Sequence, residues 1–144
     1  MNLTIVGDGP EKKKIEKLIK NLNLFKYITW KKKLPQSELI KLYKESDIFI
    51  LLSESEAYGI VVAESLACGT PVIVTRRTAL EEFIKEPGCF GVNYPPDPKE
   101  VANLILKIVK SDVKVGPFSK KIRTWDKVVE DYEKTYSNVL AKQI

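Results

Sequence analysis

"DIFILLSESEAYGIVVAESLACGTPVIVT", residues 47–75, changes its local pattern twice within one short span. After Asp47 the run "IFILL" is apolar at every position, so it suits a strand buried on both faces rather than one with a wet face. "GIVVAESLAC" follows with helical spacing, from about Gly59 to Cys68. "PVIVT" (71–75) is again short, β-branched and apolar. Strand, helix and strand in this order form a crossover unit, which joins parallel neighbours rather than a hairpin.

The same alternation continues outward in both directions. "LTIV" (3–6) reads as a strand ended by "GDGP", whose Pro10 suits the first turn of a lysine-rich helix with Ile15, Leu18 and Ile19 on one stripe. "YITW" (27–30) reads as a second strand and "SELIKLYKES" (37–46) as a helix with Ser37 as its cap. Downstream, "ALEEFIK" (79–85) reads as a short helix and "CFGVNY" (89–94) as a last, edge strand. "DPKEVANLILKIVK" (97–110) is an amphipathic helix with Val101, Leu104, Ile105 and Ile108 at helical spacing. Beyond "SDVKVGPFSK", residues 124–141 read as a final helix carrying Trp125, Val128, Val129, Tyr132 and Tyr136. The expected class is α/β: one doubly wound, Rossmann-like domain with a parallel sheet of about five strands and helices on both faces.

Composition narrows the chemistry. A chain of 144 residues buries roughly 68–70% of its unfolded surface, enough for a core without staples. With 44% hydrophobic and 30% charged residues it reads as a soluble globular chain, and no apolar run approaches the ~20 residues of a membrane span. "MNLTIVGDGP" has none of the marks of a signal peptide, so a cytoplasmic location is expected, with peripheral placement at the inner membrane face compatible with it. Cys68 and Cys89 lack a CxxC spacing and read as buried free thiols. Histidine is absent, which removes Ser-His and Cys-His pairs and ordinary zinc sites.

The formal charge is +5, yet "EKKKIEKLIK" interleaves its lysines with glutamates as a solvated helix face does. No aromatic and basic residues alternate along a strand, so nucleic acid is not expected as a partner. "WKKKLP" (30–35) differs, placing three lysines after a strand where a loop presents them to an anion or simply to solvent.

Ligands of doubly wound sheets bind at the carboxyl ends of the strands. Two loops lie there and lead into helices, "GDGP" (7–10) and "SESEAYG" (53–59), and each offers backbone N–H groups and a positive dipole end. In the second, Glu56 stays in the loop while Glu64 lies about 6 Å along the helix axis. Two such carboxylates serve either to bind a polar ligand or, as in glycoside hydrolysis, to act as acid and nucleophile or base. A helix-start anion site favours a leaving group that is itself an anion, hence group transfer over hydrolysis.

"SESEAYGIVVAESLACGTPVIV" resembles the signature of the family 4 retaining glycosyltransferases of the two-domain GT-B fold. Ser53, Glu56, Tyr58, Gly59, Glu64, Ser65, Gly69, Pro71, Val72 and Ile73 match its pattern. The resemblance extends through "LTIVGDGP", "SELIKLYKESDIFILLS", Glu82 and "GVNYPPDPKEVANLI". It implies that residues 1–144 are the carboxyl-terminal, nucleotide-sugar-binding domain lacking its first strand, with 119–144 as a tail and helix. The donor is then a UDP-, GDP- or ADP-sugar, with no metal and no other cofactor. Glu64 holds the ribose hydroxyls, and Glu56 faces the transferred sugar and supports charge at the anomeric carbon. Tyr58 and the N–H groups of Gly59, Ile60 and Val61 meet the distal phosphate or sugar. Gly7, Asp8 and Gly9 line the same cleft, and Lys33 and Leu34 face the base.

The match also departs from the family. The strand and the Arg and Lys that clamp the diphosphate precede the matched region. The usual Gly-Gly of the fifth-strand loop reads Thr78-Ala79, and the Gly after the second strand reads Lys32, changes expected to narrow the pocket. The acceptor domain is outside the match. The expected function is therefore that of a glycosyltransferase (hexosyltransferase class) domain that transfers a sugar with retention. It would do so together with a separate acceptor domain or partner chain that takes a saccharide or lipid, and would not act alone. The alternatives are a non-catalytic nucleotide-sugar binding module and an inactive fragment. Exposed aromatic residues on the last helix would favour self-association.

Overall fold

The computed structural model describes residues 1–111, 113, 115, 116 and 124–141. Two compact units are distinguished, Met1–Leu42 and Tyr43–Ile144, and the division falls inside one helix.

The first unit pairs β1 (Leu3–Val6) with β2 (Ile28–Lys31) in parallel, Leu3 opposite Ile28 and Val6 opposite Lys31. The crossover between them is α1 (Lys12–Asn21), which buries Ile19. Pro10 lies in the turn ahead of α1 rather than in its first turn, because Glu11 is the N-cap. The second strand begins one residue later than its apolar run, since Phe25–Tyr27 form a 3-10 turn. In α2 (Gln36–Glu45), Ser37 lies inside the helix instead of capping it.

The second unit is the better packed of the two. β3 (Phe49–Leu51), β4 (Val72–Thr75) and β5 (Cys89–Val92) form a parallel sheet in that order, so β5 is an edge as expected. All four residues of β4 are buried, which explains a strand without a polar face. Its alternation separates two cores. Val72 and Val74 pack with Val62 and Leu66 of α3 (Ile60–Ala67) and with Leu80 and Phe83. Ile73 points the other way, to Val92 and Ile108, with Val101, Leu104 and Ile105 of α4 (Pro98–Lys110) against them. Helical segments thus cover both faces of this sheet, as the α/β reading requires. Each fully buried Val or Leu contributes roughly 1.5–3 kcal/mol.

Two details differ from the expected elements. Residues Thr78–Lys85 form a 3-10 rather than an α-helix, tight enough to turn both Leu80 and Phe83 into the core. At the start of α4, Asp97 accepts a hydrogen bond from the Lys99 N–H, with Pro98 at the first helical position. The final helix, α5 (Trp125–Ala141), is present as expected and has no buried residue. Part of the loop before it, including 117–123, lies outside the described residues. Both cysteines are free, Cys89 buried and Cys68 half-buried. Among the described residues, no helix is long and apolar enough to cross a membrane.

Candidate functional site

The loop from β3 to α3 carries most of the expected site residues. Gly59 is the N-cap of α3 in the left-handed region, φ 88° and ψ 46°. A side chain there is excluded twice. The backbone disfavours it, and an added Cβ would lie 2.6 Å from Leu80 Cδ2. This turn aims the first N–H groups of the helix, those of Ile60 and Val61, away from any intrahelical acceptor. Tyr58 is half-exposed and packs edge-on against Phe83, 5.7 Å between centroids at 77°. The preceding segment is braced by Thr75 Oγ1, which donates to the Ser53 carbonyl at 2.7 Å, and by Ser53 Oγ, which donates to the Ser55 carbonyl at 2.8 Å.

Glu56 is half-buried in this loop, its Oε1 accepting from the Ala57 N–H at 3.2 Å. Glu64, one turn inside α3, is also half-buried, flanked along the helix by the buried Val62, Ser65 and Leu66. Tyr43 Oη donates to Glu64 Oε2 at 3.3 Å. Burial, then the charge and hydrogen bond of Glu64, push the Tyr43 phenol well above its ordinary value. The phenol therefore stays a donor throughout the physiological range.

The other expected residues lie in the first unit. Gly7 has φ 145°; its N–H donates to the Lys31 carbonyl at 2.9 Å, and its own carbonyl accepts from Trp30 Nε1 at 2.8 Å. Asp8 caps Gly9 N–H at 3.1 Å and pairs with Lys32 Nζ at 3.2 Å. That pair is exposed and worth at most about 1 kcal/mol. Lys33 is exposed and Leu34 half-buried beyond β2.

Sequence reasoning missed three features. Tyr43 was hidden in the apolar stripe of α2, where a phenol and a phenyl ring give the same periodicity. Arg77 lies over the Tyr94 ring, 4.9 Å from its centroid, and the Tyr94 hydroxyl hydrogen-bonds Glu54. That cluster links the loops after β3, β4 and β5 with no motif to announce it. Partial burial, then the Glu54 hydrogen bond, raises the Tyr94 phenol, with the Arg77 charge opposing. Thr78 stands at φ 67° with its Oγ1 buried and without a hydrogen-bond partner. Only its departure from Gly-Gly marked that position in the sequence.

The family model of the glycosyl transferases group 1 matches residues 1–125. The chain belongs to this family. Among relatives of this glycosyl transferase chain, N-acetyl-alpha-D-glucosaminyl L-malate synthase of Bacillus anthracis is 32% identical over 96% of the chain and 38% of its own length. In fold, the chain matches sucrose-phosphate synthase from Thermosynechococcus elongatus with a TM-score of 0.80 at 25% identity, covering 98% of this chain and 39% of that one. Anabaena HepE, solved with UDP and glucose, matches 76% of this chain and 31% of its own with a TM-score of 0.67 at 22% identity. The chain thus spans about two fifths of the length of the first two. The α/β, Rossmann-like class inferred from the residues is borne out, with its five parallel strands in a two-stranded and a three-stranded sheet rather than in the single sheet expected.

Proposed function

We propose that this chain is the donor-binding part of a retaining glycosyltransferase, taking a UDP-, GDP- or ADP-sugar at the carboxyl end of its sheet. The observation that carries the reading is the left-handed Gly59 cap. It opens α3 toward an anion while setting one carboxylate just before the helix and another one turn inside it. Helix-start N–H groups and the dipole suit a diphosphate, and a carboxylate suits a pair of ribose hydroxyls. In this reading Glu64 takes the ribose, and Glu56 faces the sugar and stabilises positive charge at the anomeric carbon as the nucleoside diphosphate departs. Gly7, Asp8 and Gly9, and Lys33 and Leu34 toward the base, are assigned to the donor on the family resemblance alone. Support comes from the family itself and from HepE, whose structure holds UDP and glucose.

No metal is required in this scheme, since backbone and dipole meet the diphosphate and no Asp-x-Asp pair occurs in the sequence. The acceptor, a saccharide or lipid, is held by a separate domain or chain. The cytoplasm, where nucleotide sugars are made, is the proposed location.

Calorimetry with bare nucleoside diphosphates and with nucleotide sugars tests the division of roles. Glu64→Ala should weaken the bare nucleotide by about 1–3 kcal/mol, while Glu56→Ala should leave it nearly unchanged and weaken only the sugar-bearing form. Excess EDTA should alter neither. Equal losses of bare nucleotide affinity in two folded variants would overturn the assignment, and magnesium-dependent binding would overturn the metal-free scheme.

A further inference from the structure

We propose that Tyr43 is the positioning residue of the donor site, its hydroxyl holding the Glu64 carboxylate in the orientation that receives the ribose diol. The proposal rests on the reading of Glu64 as the ribose acceptor.

Tyr43 is anchored at both ends. Its ring is 4% exposed and stands edge-on to Phe49, 5.4 Å between centroids at 87°. Its carbonyl accepts from Thr70 Oγ1 at 2.6 Å, and the Thr70 carbonyl accepts from Ser65 Oγ at 3.4 Å. Ser65 neighbours Glu64 on α3, so the phenol and the carboxylate it holds are both referred to the same rigid corner between α3 and β4. A phenyl ring alone would fill this space. The hydroxyl donates to Glu64 Oε2 in a part-buried hydrogen bond.

Any rotamer freedom that a half-exposed glutamate loses on binding opposes affinity. A donor held in place before the ligand arrives removes that loss. The chemistry permits it, because a carboxylate has about four acceptor positions, so one phenolic and two ribose hydroxyls fit together on it.

The test compares ribonucleoside diphosphates (UDP, GDP and ADP) with their 2′,3′-dideoxy analogues on the parent chain, Tyr43→Phe, Glu64→Ala and the double variant. Titrations run at a temperature where circular dichroism shows each variant folded. Tyr43→Phe should weaken the best-bound ribonucleotide by about 3–10-fold, the scale of one ordinary hydrogen bond. It should leave the dideoxy analogue unchanged and add nothing in the Glu64→Ala background. Thr70→Val, which unties the Tyr43 carbonyl, should erode the same diol preference. Unchanged ribonucleotide affinity in Tyr43→Phe beside a clear loss in Glu64→Ala would overturn the positioning role while leaving the ribose reading intact. Equal weakening of ribo and dideoxy forms would reduce Tyr43 to a structural residue. If Glu64→Ala binds like the parent, or the parent binds none of the three nucleotides, the donor-site reading falls and this proposal with it.

Discussion

Gly59 and Thr78 both stand at positive φ, and only one of them is a glycine. At Gly59 the conformation opens α3 and the missing side chain admits Leu80. Gly59→Ala therefore combines backbone strain with an overlap that Leu80 or the helix start must relieve, and should destabilise by about 1–3 kcal/mol in urea unfolding. Thr78 presents the reverse case. A β-branched residue in the left-handed region is strained by roughly 1–2 kcal/mol, and its buried, unpaired hydroxyl adds about 1–3 kcal/mol. Thr78→Gly removes both while adding unfolded-chain entropy of about 0.5–1 kcal/mol. The net expectation is a gain of about 1–4 kcal/mol before any loss of methyl packing, seen as a higher midpoint. A lower midpoint would mean that the threonine methyl packs better than its strain costs. The substitution at Thr78-Ala79 was legible as a departure from Gly-Gly. Its strain was not, because φ is set by the course of the loop between Arg77 and the buried Leu80.

The elements themselves were largely legible. β4 and α4 show why: one is apolar from Val72 to Val74 because both faces are covered, the other has its apolar residues at helical spacing behind an Asp-Pro start. Removing that start should be felt, and Asp97→Ala is expected to cost about 1 kcal/mol of stability. What failed at this scale were boundaries and turn type. The Thr78–Lys85 segment has the composition of an α-helix, and only the need to place Leu80 and Phe83 against α3 and β4 winds it tighter. Ser37 had the chemistry of a cap, but α2 starts a residue earlier. β5 offers a chemical readout of its own integrity. Burial, then the charge of Glu86, pushes the Cys89 thiol up to about 12 from its ordinary 9.0. The fold thus favours the neutral thiol, and its contribution to stability is complete below about pH 9 and lost as pH rises toward 12. At pH 8, a thiol reagent should therefore label half-buried Cys68 promptly and Cys89 only as β5 opens, so that denaturant accelerates the second labelling alone. Prompt reaction of both in the native protein would contradict the packing of this strand.

At the scale of the molecule, the glutamate pair and the glycine between them were readable because they stand at fixed spacing within one short motif. Tyr43, Arg77 and Tyr94 were not, since folding rather than spacing joins Tyr43 to Glu64, Arg77 to the Tyr94 ring and Tyr94 to Glu54. The proposed function assigns to these 144 residues a donor site and none of the acceptor's contacts, and this leads to a prediction about activity. An acceptor hydroxyl must be held about 3–3.5 Å from the anomeric carbon, and such positioning accounts for up to roughly 7–11 kcal/mol of barrier in favourable cases. A donor site open on one side also leaves Glu56 and the start of α3 in water, where their electrostatic action is weakest. The polypeptide by itself should accordingly bind nucleotide but transfer no sugar to saccharide or lipid acceptors, and gain activity when an acceptor-binding partner is supplied. The exposed face of α5, with Trp125 83%, Tyr132 59% and Tyr136 63% accessible, should make the polypeptide self-associate at high concentration. Sedimentation with and without Trp125→Ser and Tyr132→Ser would register that association. Transfer assays on a panel of nucleotide sugars decide the rest. Robust turnover by the polypeptide alone, abolished by Glu56→Ala, would show that these residues hold both substrates and would refute the division between donor and acceptor parts.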